Sequence, residues 1–152
     1  MPASARIQLT IEIAAPVHDV FRRLIEPASY QDWTSAFAEG SRYEGAWRQG
    51  ERIRFVGPSG DGMLAEVAEL RPNEFVSLRH IGFIVNGAED TTSDTVRACM
   101  PAHENYTFVA TPTGTRFELD QSVSPDWEAD LRAAWPKALA RLKAICEAGA
   151  SA

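Results

Sequence analysis

The feature that most constrains this chain is its last stretch, Ser124-Pro125-Asp126-Trp127 through Ile145-Cys146. Trp127, Leu131, Trp135, Ala138, Leu139, Leu142, Ile145 and Cys146 recur at helical spacing and so share one face of an amphipathic helix. The opposite face carries Glu128, Arg132, Lys137, Arg141 and Lys143. Pro136 sits in the middle and lacks the N–H that would bond the carbonyl of Arg132. The pattern therefore predicts either a kinked helix or two segments, 125–134 and 136–147. Nearly everything upstream reads as strand, so this helix must bury its apolar face against a sheet.

The upstream strands follow from alternation. Arg6 to Ile13 places Ile7, Leu9, Ile11 and Ile13 inward. Ala14-Ala15-Pro16 ends that run, and Pro16 suits the first turn of a helix carrying Val17, Val20, Phe21 and Leu24. Pro27 stops it and opens a second short helix through Tyr30 and Trp33. Strands are then expected at 43–47, 51–56, 63–70, 75–83, 105–111 and 115–123, with Gly50 supplying a hairpin turn. The 84–103 segment is acidic and polar around Asn86-Gly87. A connection of that length is either a flap or holds unrecognised structure. The order β-α-α followed by six strands and a helix defines an α+β chain. No helices cross over between the six strands, so the sheet is antiparallel and can curl around the final helix.

Composition limits what such a domain can do. A net charge of −6 and a pI near 5.1, with no clustered Lys/Arg stripe, exclude a general nucleic-acid binder. No apolar run is long enough to enter and cross a bilayer, and no apolar signal core precedes the first strand, so a cytoplasmic location is expected. Cys99 and Cys146 share no motif, and Cys146 falls on the apolar helix face as a buried thiol. His18, His80 and His103 have no metal-ligand spacing among themselves or with the cysteines, so no metal and no cofactor is implied. No glycine-rich loop opens a helix, and no serine has a nucleophile-elbow context.

Several motifs together resemble the START-like helix-grip superfamily, also called SRPBCC, whose fold is that of the major birch-pollen allergen. They are Ile11-Glu12-Ile13-Ala14-Ala15-Pro16-Val17 leading into Val20-Phe21, then Pro27 with Trp33, and Gly50 in the hairpin. Glu66-Val67 before Arg71-Pro72, Thr115, and Trp135-Pro136-Lys137-Ala138-Leu139 to Leu142-Lys143 complete the set. The resemblance covers the chain as one START-like domain over 1–152, with its core at about 6–147. It is strongest to the bacterial branch similar to the C-terminal domain of the activator of heat-shock-protein-ninety ATPase. It implies a helix-grip fold: a curved antiparallel sheet wrapped around a long C-terminal helix, with a cavity between them.

The inward parity of the strands gives the expected lining of that cavity: Phe55, Leu78, His80, Tyr106, Phe108, Phe117 and Gln121, with Leu131, Trp135 and Leu139 from the helix. His80 could act as an acid or base near neutral pH, or be a core histidine with its nitrogens satisfied. Tyr106 faces the same interior, while Glu104, of the same parity, is expected as a solvated strand-end carboxylate. Trp127 and Trp135 lie two turns apart on one helix face. Three functions remain open. The first is binding of a hydrophobic or amphipathic small molecule. The second is a polyketide cyclase/dehydratase-like enzyme using pocket acid/base groups, although no catalytic motif assigns a catalytic residue. The third is a chaperone partner, against which the lack of an N-terminal client-engaging domain weighs.

Overall fold

The computed structural model describes residues 5–150. Strand β1 (Ala5–Ile13) leads into helices α1 (Val17–Ile25) and α2 (Pro27–Trp33), the latter continued by a 3₁₀ turn at Thr34–Ala36. Then come β2 (Arg42–Gly45), β3 (Arg52–Val56), β4 (Gly62–Arg71) and β5 (Phe75–Val85). A short β6 (Ala88–Asp90) and helix α3 (Asp94–Cys99) precede β7 (Ala102–Thr111), β8 (Gly114–Val123) and α4 (Pro125–Ala150). The 84–103 segment thus contains structure: β6 pairs with β5, and Ser93 caps α3 by accepting the Val96 N–H. Periodicity missed both because each is too short to display a period.

The strands form one antiparallel sheet in the order β1-β8-β7-β5-β4-β3-β2, with β6 joined to β5. Two local features fix the β3–β4 side of it. Gly50, at φ +89°, occupies the left-handed region its turn requires. At Gly62 a Cβ would lie 1.8 Å from the carbonyl oxygen of Phe55, so only glycine allows β4 to approach β3 there. Two register shifts bend the β4–β5 pair, one inserting Ile81 in β5 opposite Leu64/Ala65 and one inserting Ala68 in β4 between Val67 and Glu69.

Helix α4 runs through Pro136 as one element rather than two. Trp135, Ala138, Leu139, Leu142 and Cys146 enter the core with Ile7, Val20, Leu24, Leu78, Phe108, Phe117 and Leu119. Leu9 and Ile11 face the same way but are only partly buried. Trp127 departs from the expected apolar face: it is 39% exposed and packs edge-on against Phe83. The charged face of α4 clips the helix along its edges. Arg141 binds the Asp32 carboxylate and carbonyl of α2, Lys143 donates to the carbonyl of Glu12, and Arg132 donates to the carbonyl of Arg6.

Candidate functional site

Between the sheet, α2 and α4 lies an open cavity of about 220 Å³. Tyr30 and Trp33 reach it from α2, and Phe37 from just beyond the 3₁₀ turn; Phe55 comes from β3 and Leu131 and Trp135 from α4. These walls are an aromatic assembly held in place by edge and stacked contacts. Tyr30 meets Trp33 edge-on at 5.4 Å, Trp33 stacks on Trp135 at 6.0 Å, and Phe37 meets Trp135 edge-on at 4.9 Å. The Trp33 indole N–H is tied to the carbonyl of Leu24 at 3.1 Å, which fixes the ring from the outside.

The floor is polar and belongs to the sheet. Glu104 in β7 pairs directly with Gln121 in β8 and with Leu78 in β5, whose next residue on the same face is His80; Tyr106 follows Glu104 on β7. Three inward positions, one on each of three adjacent strands, therefore converge on one carboxylate. Gln121 donates its amide N–H to Glu104 Oε1 at 2.9 Å, His80 Nε2 lies 3.1 Å from the same oxygen, and the Tyr106 hydroxyl donates to Oε2. Trp135 completes the chain by donating its indole N–H to Gln121 Oε1 at 2.7 Å. An ionised carboxylate only accepts, so the contact with His80 requires the proton on Nε2; Nδ1, which is buried, has no partner. A buried carboxylate holding one imidazole nitrogen and leaving the other open is also the arrangement that orients a histidine for proton transfer. The charge of Glu104 reaches across the cavity. Burial first, and that charge next, push the Tyr30 phenol above its ordinary range.

Of the residues expected to line the cavity, Phe55, His80, Tyr106, Gln121, Leu131 and Trp135 do so. Leu78, Phe108, Phe117 and Leu139 lie in the core and are not among the lining residues. Glu104 corrects the sequence reading. It is no solvated strand-end group: its side chain is 12% exposed and is the hub of the network. Its parity with Tyr106 and Phe108 was the available signal, outweighed by its place near a strand end. The aromatic spacing Tyr30, Trp33, Phe37 was a second signal that went unused. A smaller void of about 30 Å³ adjoins the first across Met63, His80, Gln121 and Leu131, and is bordered by Trp127 and by Cys99 of α3. Among the described residues no group of three or more His, Cys, Asp and Glu side chains could hold a metal ion. No helix among them is long and apolar enough to cross a membrane.

A curved antiparallel sheet closed by one long C-terminal helix, with a cavity between, defines a helix-grip domain. The chain belongs to the family described as polyketide cyclase / dehydrase and lipid transport, which it matches over residues 4–150. No curated protein matches it. Solved structures agree on the fold. The solution structure of ChR145 from Cytophaga hutchinsonii is 18% identical, with a TM-score of 0.71 and 100% of each chain covered. That of the Aha1 dimer from Colwellia psychrerythraea is 20% identical, with a TM-score of 0.68, covering 94% of this chain and 96% of the other. DynU16, a protein in the dynemicin biosynthetic locus, is 20% identical at a TM-score of 0.67; 95% of this chain matches 48% of its length.

Proposed function

We propose that this domain binds a small, largely apolar molecule in the cavity between its sheet and α4. One observation carries the reading: about 220 Å³ of open space is walled largely by aromatic rings, with Glu104, His80, Tyr106 and Gln121 gathered on one floor. That division of labour is what a small-molecule pocket needs, since apolar area supplies affinity and a few polar points fix orientation. A fully apolar cavity of about 150 Å³ holds benzene, so this one suits a ligand of about one substituted ring. The family's description, which includes lipid transport, fits a carrier role. The test is a panel of one- and two-ring lipophilic compounds followed by thermal unfolding and by NMR of the indole N–H groups. A ligand at a hundred times its Kd stabilises the folded state by about 2.7 kcal/mol. A panel that neither raises the melting temperature nor shifts the Trp135 indole resonance rejects the reading.

The Glu104–His80 pair supports a second reading, acid–base catalysis on a bound ligand, in line with the cyclase and dehydrase half of the family description. Its test is His80→Ala: an activity retained at full rate in that variant removes His80 from the chemistry.

A further inference from the structure

We infer that the cavity selects a small organic cation, a protonated amine on a one-ring apolar body, and rejects carboxylates. The inference rests on the proposed ligand-binding reading and concerns which chemistry that same cavity takes. Among the described residues that line the cavity, Glu104 is the only aspartate or glutamate, and none is lysine or arginine. Its partners on the floor are Gln121, Tyr106 and the His80 ring. A carboxylate has about four acceptor positions, and these three contacts occupy three of them. The fourth is left for a ligand, and the Glu104 side chain is more exposed than the His80 ring beside it, 12% against 4%. The carboxylate is already desolvated by the fold, so an arriving ammonium meets an acceptor that gives up little water to bind it.

The walls point to the same ligand. Tyr30, Trp33, Phe37, Phe55 and Trp135 surround the space, and aromatic faces attract cations through the ring quadrupole. At Tyr30 the phenolate is disfavoured by burial first and by the Glu104 charge next. An anionic headgroup placed in the cavity would face that same repulsion with no lining Lys or Arg to answer it.

Three one-ring probes of different charge separate this inference from the reading beneath it: toluene, benzylammonium and benzoate, titrated into the intact protein and followed by the Trp135 indole resonance. Benzylammonium should bind at least about tenfold more tightly than toluene, the factor expected of one charge-assisted hydrogen bond. Benzoate should bind more weakly than either. Glu104→Gln, nearly isosteric and still able to accept from Gln121 and His80, should abolish the preference for benzylammonium, read as the ratio of its affinity to that of toluene. Should that variant fold poorly, the order of the three probes on the unaltered protein decides the matter alone. Equal affinity for toluene and benzylammonium, or tighter binding of benzoate, overturns the inference and leaves the cavity reading standing. Failure of all three probes to bind overturns both.

Discussion

Trp135→Phe tests whether the floor of the cavity is a coupled network or a set of separate contacts. Trp135 is 2% exposed, its indole N–H reaches Gln121 Oε1 at 2.7 Å, and its ring meets Trp33 and Phe37. Phenylalanine keeps an aromatic ring there but removes the donor, leaving the oxygen of a residue only 7% exposed without it. An unsatisfied buried polar group costs about 1–3 kcal/mol, and the lost ring volume adds a fraction of that. The expected destabilisation is about 2 kcal/mol, or roughly 4–8 °C in melting temperature for a chain of this length. Gln121→Leu should cost a similar amount, because it strands the indole N–H and takes one donor from Glu104. The double variant removes both ends of the bond, so its cost should fall short of the sum by about 1 kcal/mol. Urea unfolding of the four proteins measures that cycle. Additivity within about 0.3 kcal/mol would refute the coupling and with it the idea that α4 is keyed to the sheet through Gln121.

Three further outcomes are expected. Gly62→Ala, whose Cβ would sit 1.8 Å from the Phe55 carbonyl oxygen, should destabilise by about 2 kcal/mol or more, and a urea midpoint unchanged from the parent would contradict that close approach. Cys146 is buried, with its thiol pushed up to about 12 chiefly by desolvation, so a thiol reagent should label Cys99 first in the native protein and reach Cys146 only on unfolding. Hydrogen bonds from Arg6 hold the Asp120 carboxyl below its usual range, and the Ala14 N–H followed by Lys143 does the same for Glu147. Depressed carboxyls stabilise the fold fully above their unfolded values near pH 4 and lose that contribution as pH falls through the folded ones, so stability should decline below about pH 4. Asp120→Asn should flatten the decline, and an unchanged slope would argue against the Arg6 pair.

The strands were legible because the sheet has one buried face. Val76, Leu78 and His80, or Phe117, Leu119 and Gln121, declare their side by alternation, and the structure buries all six. The final helix was legible for the same reason at a different period, but its first turn was not. Trp127 has the spacing of the buried face, yet it lies in the first turn of the helix, 39% exposed, with Phe83 near the end of β5 as its aromatic neighbour. Pro136 left the choice between one helix and two open, and the structure carries a single helix through it. Glu104 was misjudged for a related reason. A carboxylate at an inward position reads as misplaced until the groups that satisfy it are known, and those groups come from two other strands.

A sheet that only had to cover a helix could place leucine or phenylalanine at 80, 104, 106 and 121, and an apolar floor of that kind is often as stable as a buried charged one, or more so. The chain instead sets an ionisable group among donors from three strands and connects it to α4 through Trp135. The register makes this arrangement all-or-none. A one-residue slip of β7 would present His103, Asn105 and Thr107 to the cavity, turn Glu104 and Tyr106 to the outer face, and leave Gln121 and His80 without their acceptor. The polar floor therefore constrains strand pairing as strictly as the core does, although of its four residues only Tyr106 belongs to the hydrophobic core. A floor that demands this register, with three of its four residues outside the hydrophobic core, supports the ligand-binding reading proposed above.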